Sequence, residues 1–157
     1  MQPERGRVPL ITIAAYFSRQ TTHADDLTDA IWANGVETVR RANLLLSKFH
    51  NDGGKARGVR SGWRPAEINA AVKGSRGSHH MSGRAVDIED NDRALARWCA
   101  ANKEVLEDAG IWMERPEATE TWVHWQTVPP GSGARYYWPS VAAYRLWVAK
   151  NEAPIIV

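Results

Sequence analysis

The chain has 157 residues, a length typical of one domain with a substantial hydrophobic core. Its 20 lysine and arginine residues nearly balance its 18 acidic residues, and like charges form no run of five or more. This composition gives no indication of nucleic-acid binding, and the sequence pI of about 8.9 favours polyanionic surfaces only weakly at physiological salt. We therefore expect a monomer with a single domain over residues 1–157.

The single cysteine limits the metal ligands that the chain can supply, and the N-terminal stretch bears on where the protein is made. Because Cys99 has no second thiol to pair with, an internal disulfide and a cysteine-based zinc cluster are excluded, and any metal must have nitrogen and oxygen ligands. The stretch "MQPERGRVPLITIAAYF" is interrupted by arginine, and its apolar part is too short for a signal peptide or a membrane span. We expect a protein made in the cytoplasm without a signal peptide and without membrane association.

Two helices are predicted in the first half of the chain. Thr28 or Asp29 is suited to cap a helix whose apolar residues recur on one face up to about Phe49, where "NDGGK" ends it. A short helix follows over Pro65–Val72, because Pro65 favours a first helical turn and the glycines after Val72 end the pattern.

The second half combines strands with one more helix. "RAVDIE" (84–89) alternates as a half-buried strand does, and a long helix is predicted from about Asn91 to Ala109, where Gly110 ends it. "IWME" (111–114) and "TWVHWQTV" (121–128) are predicted to form a hairpin joined by "RPEATE". The fold class is therefore α+β, with strands on both sides of the histidine-rich segments.

The stretch "SHHMSGRAVDIED" contains the first residues suited to bind a metal. Six residues separate His80 from Asp87, and Gly83 among them permits a sharp turn, so an imidazole and a carboxylate can converge on one ion. His124 in the hairpin is a third candidate, and three protein ligands leave a fourth position for water, as in catalytic zinc sites. Spacing alone is weak evidence, because a histidine in a mixed sequence is more often a surface or core residue.

The same stretch resembles the signature of a known enzyme family. Ser78, His80, Gly83, Ala85 and Asp87 match S-x-H-x-x-G-x-A-x-D, the signature of the zinc D-Ala-D-Ala carboxypeptidase family. The upstream "SGWRP" is similar to the family's "SGYRS" segment, and "WVH" resembles the strand that supplies the last zinc ligand. The chain is most similar to short phage and prophage members. The resemblance implies a hedgehog/DD-peptidase-like fold, with a small antiparallel sheet that carries a zinc site and is flanked by helices.

The resemblance further implies that His80, Asp87 and His124 bind Zn²⁺. It also implies an acidic residue beside the metal that acts as a general base and then as a general acid. In several members this acid stands three residues before the last histidine, but here Thr121 occupies that position.

Three glutamates can take the role of this acid. If the hairpin is roughly symmetric about Thr119, Glu114 lies directly opposite His124, with Cβ atoms about 5 Å apart. We therefore predict Glu114 as the base and Glu120 as the alternative, and interpret Glu117 as a solvated loop residue.

Three more residues have candidate roles in substrate binding. The family counterpart of Arg64 is associated with the substrate and with the oxyanion of the transition state, and the alternative is a surface arginine at a helix start. Ser78 either hydrogen-bonds the substrate or caps its turn, and Trp122 is predicted to line the cleft. His79 is interpreted as an exposed or outer neighbour of His80.

The resemblance implies a zinc metallopeptidase that hydrolyses amide bonds in peptidoglycan stem peptides. We expect an L-alanyl-D-glutamate endopeptidase of the phage endolysin type, which reaches its substrate after release by a holin or from a phage particle. A D-Ala-D-Ala carboxypeptidase is the alternative within the family. Two further possibilities remain open, namely a zinc-binding module without catalysis and a structural phage component that binds cell wall. The expected partner is the stem peptide, with no nucleic acid and no membrane.

Overall fold

The fold is described by a computed structural model for residues 10–19 and 22–151. In this part of the chain five strands form one sheet with the spatial order first, second, fourth, third, fifth. Neighbouring strands are antiparallel except the last, which pairs parallel with the third. The strands are β1 (Val59–Ser61), β2 (Ala85–Glu89), β3 (Trp112–Glu114), β4 (Trp122–Gln126) and β5 (Tyr136–Tyr137).

Helices flank this sheet, which confirms the predicted α+β class. The long helix begins as predicted, because Thr28 Oγ1 accepts a hydrogen bond of 3.2 Å from the backbone N–H of Ile31. Among the described residues, every helix is too short or too polar to cross a lipid bilayer. The helices are α1 (Ile13–Tyr16), α2 (Asp29–Asn51), α3 (Ala66–Ala71), α4 (Ala94–Ala101), α5 (Lys103–Ala109) and α6 (Val141–Asn151).

The prediction of one continuous helix over Asn91–Ala109 is wrong. Asn102 separates α4 from α5 with a backbone at φ −129° and ψ 50°, outside the helical region. Its side-chain Nδ2 donates to the carbonyl of Trp98 over 2.8 Å, and its backbone N–H donates to Cys99. The asparagine thus satisfies carbonyls at the end of α4 and competes with continuation of the helix.

Strand β2 is buried on both faces, so the predicted half-buried strand is also wrong. It lies between β1 and β4, with α2 packed against it. Val86 and Ile88 belong to the hydrophobic core, and Asp87 on the opposite face is buried as well. Asp87 is covered because the chain segments before β2 fold over that face, and these segments carry the candidate site.

Two glycines allow those segments to pack closely. Gly83 has φ +78°, and a Cβ there would lie 2.6 Å from the carbonyl oxygen of Ile31 in α2. A Cβ at Gly62 would lie 2.2 Å from the carbonyl oxygen of Tyr16, which accepts a 3.0 Å hydrogen bond from the N–H of Trp63. Both glycine-containing motifs are therefore held directly against helical backbone.

Candidate metal centre

Adjacent strands bring two of the predicted ligands together. Asp87 of β2 is paired directly with His124 of β4, and Asp87 Oδ1 lies 2.9 Å from His124 Nδ1. His80 comes from the loop before β2, and its Nε2 lies 3.3 Å from the same Oδ1. All three side chains are buried, and their candidate ligand atoms lie within 4.8 Å of one another.

Hydrogen bonds outside the cluster fix the orientation of His80. Its Nδ1 donates to the carbonyl oxygen of Gly62 over 2.8 Å, so the neutral ring has its lone pair on Nε2. Burial lowers the pKa of His80 and thereby favours this neutral form, although the charge of Asp87 opposes the shift. Nε2 is fully buried and has no hydrogen-bond partner among the described residues. A buried lone pair that faces a carboxylate oxygen indicates a position for a cation.

His124 is oriented by a chain of polar contacts that begins at Gln126. The Gln126 Nε2 donates to the carbonyl of Val128 over 2.7 Å, which leaves Gln126 Oε1 as an acceptor. Oε1 accepts from His124 Nε2 over 2.9 Å and from the hydroxyl of Tyr137. The lone pair of the neutral His124 ring therefore lies on Nδ1 and points at Asp87.

The charges of Asp87 and His124 follow from the burial of both side chains and from their neighbours. Burial raises the pKa of Asp87, but the adjacent His80 and His124 outweigh it and hold the pKa below its usual range. Burial also lowers the pKa of His124, but the hydrogen bond and charge of Asp87 outweigh it and raise the pKa to about 9. Without a metal the pair thus shares one proton, and a divalent cation would replace this proton on binding. Two imidazole nitrogens and one carboxylate oxygen form a donor set that suits zinc.

A cavity of about 340 Å³ opens over the cluster. Its walls include every residue predicted to take part in catalysis or substrate binding except the alternative base Glu120. The lining residues include Arg64, Ser78, His79, His80, Asp87, Glu114, Trp122, His124, Gln126 and Tyr137.

The three candidate glutamates have different positions. The β3–β4 register pairs Met113 with Trp125, and one further step places Glu114 opposite His124, as the hairpin symmetry predicts. Glu114 lines the cavity, whereas Glu120 is exposed and Glu117 forms a 3.1 Å ion pair with Arg115. Burial raises the pKa of Glu114. The geometry favours Glu114, and its role as the base stays a prediction.

Arg64 has a contact that the sequence did not indicate. Its Nη2 donates to Asp87 Oδ2 over 3.1 Å, while its Nε donates to Ser61 Oγ over 2.8 Å. The side chain is only 16% exposed, so the interpretation as a surface arginine is wrong. Arg64 holds the carboxylate oxygen that faces away from the histidines, and it still lines the cavity.

The remaining predicted residues also lie at the cavity. Ser78 Oγ accepts a 3.2 Å hydrogen bond from the N–H of His80, so the capping role is observed and a substrate contact stays a prediction. His79 is half-buried and lines the cavity outside the cluster of candidate ligands, which fits its interpretation as an outer neighbour of His80 and not as an exposed one. Trp122 forms part of the wall, and the guanidinium of Arg60 lies 4.6 Å from its ring centre.

Sequence reasoning missed Gln126 and Tyr137. Gln126 stands two residues after His124 on the same face of β4, and this period-two spacing was a usable signal. Tyr137 reaches the site only because β5 pairs with β3, and a two-residue strand has no recognisable pattern.

Comparison with known proteins agrees with this geometry. A family model described as peptidase M15 matches residues 18–125, more than half of the chain. A comparison with curated proteins finds no match. The matched segment contains the three candidate ligands and Glu114. The chain therefore belongs to the peptidase M15 family, whose members are zinc-dependent metallopeptidases.

Proposed function

We propose that this protein is a zinc-dependent peptidoglycan peptidase that cuts the bond between L-alanine and D-glutamate in the stem peptide. One observation carries the proposal: the His80, Asp87 and His124 cluster opens onto the same cavity as the half-buried carboxyl of Glu114. A metal-binding donor set and a separate proton-transfer group within one cavity suit amide hydrolysis.

The three clustered residues would hold the metal through His80 Nε2, Asp87 Oδ1 and His124 Nδ1. When bound there, zinc would polarise a peptide carbonyl and increase the acidity of a water molecule. The hydrogen bonds from His80 to Gly62 and from His124 to Gln126 keep both donor nitrogens aimed at one point.

Glu114 would move the proton. Its carboxylate accepts a proton from the attacking water and then donates it to the departing amine, so that the group returns to its starting form. Burial raises the pKa of Glu114 toward neutrality, although the positive charge of His124 opposes part of that shift. A carboxyl whose pKa lies nearer the working pH can both accept and donate a proton.

Arg64 would stabilise the negative charge that develops on the substrate. Its guanidinium borders the cavity while its hydrogen bonds to Asp87 and Ser61 hold the plane in place. A guanidinium fixed in this way supplies charge without reorganisation during the reaction. Ser78 and Trp122 offer polar and aromatic contacts for the peptide at the cavity wall.

The endolysin assignment is supported by the resemblance of the motifs to short phage and prophage members. Such an enzyme acts after release by a holin or from a phage particle. The same cavity also fits a D-Ala-D-Ala carboxypeptidase, because Arg64 is suited to bind a terminal carboxylate. The position of the half-buried Glu114 in the cavity wall favours either enzyme over a module that only binds zinc or cell wall.

Digestion of purified peptidoglycan by the zinc-loaded protein tests the proposal, with products identified by mass spectrometry. We expect separation of L-alanine from D-glutamate, and a loss of kcat of about 100- to 10,000-fold in Glu114→Gln with zinc retained. Glu120→Gln is the matched control and is expected to keep its activity, because Glu120 is exposed outside the cavity.

Three results would change the assignment. Release of terminal D-alanine would favour the carboxypeptidase. Full activity in Glu114→Gln would overturn the role of Glu114. The absence of any product from protein with stoichiometric zinc would contradict the peptidase proposal.

A further inference from the structure

A second hollow of about 350 Å³ adjoins the metal cavity. The two hollows share three wall residues, Arg64, Asp87 and Trp122. A peptide bound across the metal cluster needs room on both sides of the scissile bond. The second hollow supplies this room on the side of β1 and α3, since residues from both elements line it.

The second hollow is positively charged. Arg19, Arg60 and Arg64 line it, and Asp87 is the one carboxylate among its lining residues in the described chain. Asp87 Oδ2 is already bonded to Arg64, and Asp87 Oδ1 faces the two histidines. The charge of Asp87 is therefore engaged within the metal centre, which leaves an excess of positive charge in the hollow.

Arg60 presents a guanidinium of fixed orientation to this hollow. Its guanidinium lies over the ring of Trp122, and its Nη1 donates to Thr121 Oγ1 over 2.9 Å. Its contact with Glu89 is 3.6 Å long, beyond hydrogen-bond range, and both side chains are about 40% exposed. A ligand carboxylate can therefore compete with Glu89 for the planar guanidinium.

The floor beside these arginines is aliphatic. Ile68 and Val72 of the α3 region and Val59 of β1 line the same hollow, and Val72 is 57% exposed. A ligand that matches both surfaces has a carboxylate attached to a short aliphatic chain. An acidic amino-acid residue within a peptide has this chemistry, and the hollow has the volume for a small ligand group.

We propose that the second hollow binds the free α-carboxylate of the D-glutamate residue next to the scissile bond, with Arg60 as a specificity-determining residue. This inference rests on the proposed function and extends it to the recognition of an acidic peptide. The sequence motifs leave Arg60 outside the signature residues, so the inference depends on the geometry of the hollow.

Binding of two synthetic peptides to the zinc-loaded Glu114→Gln protein tests the inference by calorimetry. The peptides are N-acetyl-L-Ala-γ-D-Glu-L-Lys with an amidated C-terminus, and the same peptide with the glutamate α-carboxylate converted to an amide. We expect the acidic peptide to bind about tenfold more tightly, as charge-assisted hydrogen bonds predict. Adding Arg60→Gln should reduce this ratio to below about threefold and leave the Kd of the amide peptide nearly unchanged.

Arg97→Gln is the matched control, because it removes the same charge from an exposed position on α4. This control should keep the tenfold ratio. Equal binding of both peptides to the parent protein, or an unchanged ratio in Arg60→Gln, would overturn the carboxylate subsite alone. Failure of both peptides to bind zinc-loaded protein would contradict the proposed substrate as well.

Discussion

Pairing and burial fix strands β2 and β4 along their whole length, whereas helix α6 has no buried side chain among its described residues. The two strands pair over five residues, from Ala85 opposite Gln126 to Glu89 opposite Trp122, and nearly all their side chains are buried. Helix α6 is longer and rich in apolar residues, yet none of its described side chains is buried. Its contacts include Trp138, which packs against Tyr144 and Trp147.

This difference indicates which elements must hold their side chains at defined positions. A buried polar group needs partners at defined distances, so Asp87 and His124 can be held only by elements fixed along their whole length. A helix without buried side chains, such as α6, can move slightly without leaving a buried polar group unsatisfied. Substitutions on the two elements should therefore have very different consequences.

The largest effect is expected for Asp87→Asn. This change keeps the side-chain volume but removes the anionic ligand between two imidazoles, so we expect zinc affinity to fall by at least about 100-fold and peptidase activity to reach background. Competition with a chromophoric chelator measures the affinity. Asp108→Asn on the exposed face of α5 is the control and should bind zinc normally. Unchanged zinc affinity in Asp87→Asn would refute the metal centre.

A large loss of stability is expected for Ile88→Ala. Ile88 is fully buried in the core on the face of β2 opposite Asp87, so the change leaves a cavity. We expect the free energy of unfolding to fall by about 2–5 kcal/mol in urea denaturation of the metal-free protein. A loss below about 1 kcal/mol would show that β2 is less constrained than its burial indicates.

A smaller effect is expected for Gln126→Leu. The change preserves the approximate size of the side chain but removes the acceptor for His124 Nε2–H and for the Tyr137 hydroxyl. We expect zinc affinity to fall by about 10- to 100-fold, because the orientation of His124 is no longer fixed. Tyr137→Phe removes only one contact to Gln126 and should have a weaker effect. Equal zinc affinities in Gln126→Leu and the parent would contradict this positioning role.

The smallest effect is expected for Leu146→Ser in α6. Leu146 is 72% exposed, so the free energy of unfolding should change by less than about 0.5 kcal/mol. Urea denaturation beside Ile88→Ala gives the direct comparison. A loss as large as that of Ile88→Ala would show that another surface covers Leu146 in solution.

Local signals in the sequence predicted the elements that carry the site. The start of α2 at Thr28 depends on one side chain and its nearest backbone, and the β3–β4 hairpin depends on alternation within a few residues. The break at Asn102 was missed because the helical pattern continues across it, while the competing hydrogen bonds arise from the asparagine itself.

The features that the sequence did not predict depend on contacts between distant segments of the chain. Nothing near Arg64 in the sequence indicates that its guanidinium bonds Asp87, because β1 and β2 must pair before the two residues meet. The hydroxyl of Tyr137 reaches Gln126 through the pairing of β5 with β3. The three candidate ligands were predictable from the motif, whereas the residues that orient them depend on the assembled sheet.

The burial of Cys99 has an optical consequence. This single cysteine lies in the core on α4 and is not one of the clustered ligands, and burial raises the pKa of its thiol, so the thiol stays protonated. A cobalt(II) ion exchanged into the His80, Asp87 and His124 site would therefore have nitrogen and oxygen ligands alone. Its spectrum would lack the near-ultraviolet thiolate charge-transfer bands, and the visible d–d bands of the substituted protein would report the coordination geometry.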